Sequence, residues 1–282
     1  MPRPDRSFRT PAIILKRRDF GEADRLLTVV TPHHGKLDVI AKGARKPTSS
    51  KTGHVELFTR ADMLIHTGRT FGIVVQAEME EPFLVIREDL QRGAYANYVA
   101  ELLDRFTVGA SASSLDSDMG LGGEELELAG LYTLLDETLA RLCNDDDPRL
   151  AVRYFEMRLL DQVGYRPEVL ECVIGREPLL PVDQYFSFAD GGVICPADAG
   201  RVKEGHAIVP LSTMTLKLLR HMQRSPYKNV KTLKNIDIRV HDNTERVLLG
   251  YITYLLERRL QSVDFIQRLR RQSVKLGEKP TP

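Results

Sequence analysis

The sequence predicts an α+β protein, with a small five-stranded β-barrel followed by a mostly helical domain. Two observations carry this. Five short apolar runs, punctuated by turn residues, fall between residues 10 and 80. After Pro82 the apolar spacing lengthens to one residue in four, the period of an amphipathic helix. The expected domains are therefore 1–82 and 83–282.

Ile13, Ile14 and Leu15 form the first apolar strand, and a turn at 19–22 follows. The second strand is 25–30, carrying Leu26, Leu27, Val29 and Val30. Pro32 to Gly35 turns the chain into a third, 36–41, which Gly43 ends. A polar loop over 45–53 leads to strands 56–65 and 71–77 around a turn at Thr67 and Gly68. Closing so many short strands into a barrel removes exposed edges. An SH3-like barrel would give much the same pattern.

Leu90, Ala94, Tyr98, Leu102 and Phe106 mark the first helix. Residues 107–123 are small, polar and glycine-rich and read as a flexible insert. Leu128, Leu131, Leu135, Leu139 and Leu142 mark a second helix. A third starts with Asp147 as cap and Pro148 at its first position, and ends by Gly164 and Pro167. Residues 168–205 read as irregular. Ser212 caps a helix running through Met222. Val247, Tyr251, Tyr254 and Leu255 predict a helix over roughly 242–260, with helical character again at 265–269.

Net charge is +1, but it is segregated. Residues 1–60 carry 13 Lys and Arg against 6 Asp and Glu, residues 61–210 carry 12 against 27, and residues 211–282 carry 15 against 6. Basic ends of this size suit a polyanion, because each phosphate neutralised releases condensed counterions. Lys16, Arg17 and Arg18 end the first strand, Arg25 opens the second, and Lys42, Arg45, Lys46 and Lys51 follow the third. Loops of small barrels grip nucleic acid, with cations on phosphates and aromatic faces on bases. Gly43 and the Ser/Thr content suggest a loop free to follow a flexible strand. Phe20, Phe58 and Phe71 are available for stacking, although core packing is the commoner use of a phenylalanine. Arg258, Arg259, Arg268, Arg270 and Arg271 extend the track or complement a helix dipole.

Catalytic patterns are absent. There is no G-x-x-x-x-G-K-[ST], no G-x-S-x-G and no H-E-x-x-H. The acidic run Asp145–Asp147 precedes Pro148 and reads as a helix start rather than as a metal site for a nuclease. No apolar run approaches the roughly 20 residues of a membrane span. The N-terminus has no apolar stretch of the secretory kind. Three widely spaced cysteines argue against a disulfide framework and fit a cytoplasmic address. Cys143 sits on a leucine-rich helix face and reads as a buried small hydrophobe. A structural zinc needs four ligands. Gly175 and Asp198 stand three residues after Cys172 and Cys195, so at most Cys172, Cys195 and Asp198 remain. No full zinc site, and no other cofactor, is expected.

Several strings resemble the RecO family of recombination mediators. The stretch from Thr10 to Pro32, T-P-A-I-I-L-K-R-R-D-F-G-E-A-D-R-L-L-T-V-V-T-P, is similar to the family's N-terminal signature. So are Gly35–Lys46 and Gln76–Glu78, and, further on, Y-V-A-E-L-L-D at Tyr98, F-E-M-R-L-L-D-Q-V-G-Y-R-P at Phe155, G-G-V-I-C at Gly191 and the stretch from Leu255 to Ile266. The resemblance implies an OB-fold followed by a helical domain with a zinc-ribbon-like insert, here degenerate, over 168–205. It implies binding of single- and double-stranded DNA and annealing of complementary strands in a cytoplasmic, nucleoid-associated protein. It also implies partnership with RecR, contact with the acidic tail of single-stranded-DNA-binding protein, and help in loading RecA. Many family members carry C-x-x-C twice in the insert, and this chain departs from that at Gly175 and Asp198. The expectation is a non-enzymatic mediator gripping DNA through Lys16, Arg17, Arg25, Lys42, Arg45, Lys46 and Lys51. A scaffold whose basic surface meets acidic partner tails is the alternative.

Overall fold

The computed structural model describes residues 7–68, 70–107, 122–233 and 236–275. They form two compact units, Met1–Asn144 and Asp145–Pro282. Strand character ends at Glu81, but the first unit runs on through three helices. Most of the insert expected over 107–123 lies outside the described residues.

In the N-terminal unit, β1 (Ser7–Phe20), β2 (Asp24–Thr31), β3 (Gly35–Ala41), β4 (Arg60–His66) and β5 (Gly72–Glu81) close into a barrel of order β1-β2-β3-β5-β4. This is the OB-fold order, with long β1 paired to β2 at one end and to β4 at the other. A short parallel pairing of β3 with β5 closes the ring. Alternation decides what faces inward. Ala12 and Ile14, Leu27 and Val29, Leu37, Val39 and Ala41, and Ala61, Met63 and Ile65 fill the interior. Each fully buried Leu, Ile or Met there stabilises the fold by roughly 1.5–3 kcal/mol.

The first strand is far longer than its apolar core. Lys16 to Phe20 are exposed yet remain in the ladder, with Arg18 opposite Leu26 and Asp19 opposite Arg25. β4 starts at Arg60 instead of 56, because residues 56–59 form a turn, in which the Thr59 amide donates to the Glu56 carbonyl at 3.2 Å and Phe58 takes φ +61. After a single turn, α1 (Leu84–Glu88), the Asp89 carboxylate caps α2 (Leu90–Phe106) by accepting from the Gln91 and Arg92 amides at 2.8 and 2.9 Å. Its apolar face buries Tyr95, Tyr98, Val99, Leu102 and Leu103. α3 (Gly122–Asn144) is tied back to the barrel by Asp136, which pairs with Arg60 at 2.7 Å.

In the C-terminal unit the Asp147 cap of α4 (Pro148–Gln162) is as expected. A three-stranded antiparallel sheet of order β7-β6-β8 follows: β6 (Gln184–Ser187), β7 (Gly192–Ile194) and β8 (Ile208–Leu211). Sequence reading takes most of this segment as irregular, since strands of three or four residues are too short to show a period. The helices α5 (Thr213–Arg224), α6 (Tyr227–Lys231), α7 (Ile238–Leu256) and α8 (Gln261–Lys275) complete the unit. Asp237 caps α7, which begins four residues before its expected start. Phe155, Leu219, Met222, Leu248 and Ile252 lie in its core. Among the described residues no helix is long and apolar enough to cross a membrane.

Candidate nucleic-acid interface

A cleft of about 710 Å³ lies against β1–β3. Lys16, Arg17 and Arg18 from β1, Thr28, Lys36 and Asp38 from β2 and β3, Phe71 from the β4–β5 loop, and Asn97 and Asp104 from α2 line it. In OB-folds the β2–β3 face and the β1–β2 and β4–β5 loops take up oligonucleotides. The cleft is on that face.

The second group of cations is held at the β1–β2 turn. The Arg45 amide donates to the Ala23 carbonyl at 2.9 Å, and the Gly43 amide donates to Asp24 Oδ1 at 2.7 Å. Ala44 between them is fully buried in the barrel core. Gly43 has φ +68, which a side chain rarely tolerates, so the glycine fixes a turn. The loop over 42–51 is therefore built and anchored, and the expectation of a loop free to follow DNA is corrected. Its lysines still face solvent: Lys42 and Lys46 are exposed and Lys51 is half-buried. Lys51 Nζ donates to the Lys42 carbonyl at 3.3 Å.

The seven expected cations divide by partner. Arg17 and Arg25 share Glu56, Arg25 at 2.8 Å. Arg45 lies 3.3 Å from Asp19 and reaches the Glu22 carbonyl, also at 3.3 Å. Lys16 lies 2.5 Å from Asp104 Oδ2. Lys42, Lys46 and Lys51 make no ion pair among the described residues, and neither does Arg18, which the sequence reading left out of its contact set. Its place in the Lys16–Arg18 run was the available signal.

Asp104 is electrostatically the most engaged acid of the cleft. Burial works to raise its pKa, and the ammonium groups of Lys16 and Lys36 outweigh that, so the carboxyl sits below its ordinary range. Lys36 also donates to the Asp104 and Thr107 carbonyls at 2.7 and 2.6 Å, at the C-terminal end of α2.

The phenylalanines separate. Phe58 is buried at 4% exposure, as core packing requires. Phe20, which ends β1, is 41% exposed. Its ring centroid is 6.3 Å from that of Phe71, edge to face. The two rings bring together the two loops that border the cleft.

Elsewhere the acidic run is consumed structurally. Asp145 is buried, accepts from the Tyr227 hydroxyl at 2.7 Å and pairs with Lys231. Asp147 accepts from the Leu150 amide at 3.2 Å and pairs with His241 at 3.2 Å. Cys143 is half-buried, not fully buried as expected. Arg270 pairs with Glu245, while Arg258, Arg259, Arg268 and Arg271 are exposed.

Cys172, Cys195 and Asp198 do converge, their donor atoms all within 4.8 Å of one another. Both thiols donate to Asp198 Oδ2, at 3.2 and 3.3 Å, and Arg201 holds Oδ1 at 2.7 Å. Those hydrogen bonds, Cys172 first and then Arg201, lower the Asp198 pKa, and burial raises that of Cys195. At Gly175 an added Cβ would stand 2.3 Å from Asp198 Oδ2, so the carboxylate fills the space where a fourth side chain would begin. Three protein donors, with a glycine where a fourth side chain would stand, do not make the closed four-ligand set of a structural zinc.

Two family profiles match the chain: Recombination protein O N terminal over residues 6–83, and Recombination protein O C terminal over residues 121–264. The chain is 37% identical to the DNA repair protein RecO of Roseiflexus sp. (strain RS-1), over 94% of this chain and 87% of that one. It is 33% identical to the DNA repair protein RecO of Dehalococcoides mccartyi (strain ATCC BAA-2266 / KCTC 15142 / 195), over 95% and 98%. Set on an OB-fold barrel with a cationic, aromatic-edged cleft, these likenesses run through both units, and the chain belongs to the RecO family of DNA repair proteins.

Proposed function

We propose that the barrel, residues 1–82, grips single- and double-stranded DNA by its phosphates and lets complementary strands anneal. The observation that carries this is the gathering of cations from β1, β2 and the loop over 42–51 at one end of an OB-fold, beside two partly exposed aromatic rings. Lys42, Lys46, Lys51 and Arg18 are the first phosphate contacts. Lys16, Arg17, Arg25 and Arg45 stand behind them, already held by carboxylates. Neutralised backbones can approach one another, and base pairing then supplies specificity. No covalent step is involved. Family membership supports work with RecR, contact with the tail of single-stranded-DNA-binding protein and, through these, loading of RecA in the cytoplasm. The donor set around Cys172 supports a ribbon that needs no zinc.

A strand-annealing assay tests the reading. The variant with Lys42, Arg45 and Lys46 all changed to Ala should anneal markedly more slowly than wild type. Unchanged annealing, or flat salt dependence of wild-type DNA binding, would move the basic surface to the scaffold role, in which it meets acidic protein tails.

A further inference from the structure

We propose that Asp104 acts as a built-in stand-in for a nucleic-acid phosphate, withholding Lys16 from the strand and so capping the affinity of the cleft. The inference rests on the DNA-binding reading above and concerns the regulation of that same site.

The two oxygens of Asp104 divide two lysines between them: Oδ2 takes Lys16 at 2.5 Å, and Oδ1 takes Lys36 at 3.1 Å. The two lysines are not equivalent. The Lys36 side chain is only 12% exposed and donates also to two main-chain carbonyls, so it stays where it is and anchors the end of α2. The Lys16 side chain is 55% exposed and has no such second anchor among the described residues. An exposed pair of this kind is weak, so a phosphate can compete for the ammonium. In doing so it must displace or sit beside a carboxylate of its own sign, in a cleft also lined by Arg17 and Arg18. An annealing protein must release strands as well as hold them. A carboxylate that takes its lysine back favours release.

The charge change gives the size of the effect. Freeing one cation for a phosphate on a single strand steepens the log–log salt dependence by about 0.7. Relative to molar salt, that amounts to roughly fivefold tighter binding at 0.1 M. Asp38 supplies the control. It lines the same cleft and is exposed, but its carboxylate accepts from the neutral Thr28 hydroxyl at 2.6 Å and makes no ion pair among the described residues.

The experiment is fluorescence anisotropy of a labelled oligo-dT, titrated from 0.05 to 0.5 M salt. The full-length proteins compared are wild type, Asp104→Asn, Asp38→Asn, Lys16→Ala and the double variant Asp104→Asn with Lys16→Ala. Asp104→Asn should bind about fivefold tighter at 0.1 M salt with a steeper slope, and clearly tighter than Asp38→Asn. Lys16→Ala should cost wild type far less affinity than it costs the Asp104→Asn background, where it should cancel the gain. A gain that survives loss of Lys16, that equals the Asp38→Asn gain, or that is absent overturns the inference while the DNA reading stands. If neither wild type nor Asp104→Asn binds, the DNA reading fails and the inference falls with it. Lys16→Ala leaves α2 anchored by Lys36; if Asp104→Asn disturbs folding, a loss of about fivefold at 0.1 M salt with Lys16→Ala in wild type, the full worth of one phosphate contact, overturns the inference.

Discussion

Replacing Glu245 with glutamine should cost the C-terminal unit about 3 kcal/mol at neutral pH, and less as the solution is acidified. Glu245 on α7 accepts both Nη groups of Arg270 on α8, at 2.7 and 2.9 Å, and faces Arg149 at 3.6 Å and Arg153 at 3.8 Å. Burial works to raise its pKa, and the three arginine charges outweigh it, leaving the carboxyl at about 2 against an ordinary 4.5. A tenfold change in proton affinity is about 1.36 kcal/mol, so the charged form contributes about 3 kcal/mol. Its side chain is 19% exposed, so solvent screens it only modestly. Because the folded-state pKa is depressed, the contribution is complete above pH 4.5 and is lost as pH falls through about 2. About 2 kcal/mol should remain at pH 3.5. The assay is urea unfolding followed by far-UV circular dichroism at pH 7.5, 5.5 and 3.5, the chain having no tryptophan to follow by fluorescence. The wild-type advantage should match at the two higher values and shrink at the lowest. An advantage below about 0.5 kcal/mol at pH 7.5, the size of a surface pair, would refute the reasoning. So would an advantage that does not respond to pH.

Other outcomes follow from the same contacts. Phe20→Ala and Phe71→Ala should each weaken oligo-dT binding by about 1–3 kcal/mol per lost stack while leaving its salt slope unchanged. Phe58→Ala should instead cost about 3–5 kcal/mol of stability, because its ring is buried. Asp145→Asn should lower the melting temperature of the C-terminal unit, because the carboxamide keeps one acceptor oxygen for Tyr227 and Lys231 to compete for and loses the charge that pairs with Lys231, without slowing annealing. Metal analysis should find no stoichiometric zinc in the wild type. Changing Gly175 and Asp198 together to Cys should create a site that retains it, and one tightly bound zinc per wild-type chain would contradict the reading of the ribbon.

The barrel was legible because its interior residues alternate. Leu27, Val29, Leu37 and Val39 show period two to the eye. The second half of β1 was not, because Lys16 to Phe20 carry no apolar alternation and are kept extended by pairing with β2. The cation set was legible as a list, but its neutralisation was not. Glu56 lies 39 residues from Arg17, and Asp104 lies 88 from Lys16, so no local pattern links them. Anchoring of the loop over 42–51 depends on Ala44 entering the core and on Asp24 reaching the Gly43 amide. Both are tertiary events that overrode a composition suggesting freedom.

The most direct test of the central claim is the salt dependence of single-stranded DNA affinity for wild type and for the variant with Lys42, Lys46 and Lys51 changed to Ala. Three phosphate contacts on a single strand correspond to about 2 in log–log slope, and the variant's slope should be shallower by that amount, with weaker binding at every salt concentration below molar. A variant that keeps the wild-type slope and affinity would place the strand somewhere other than the barrel.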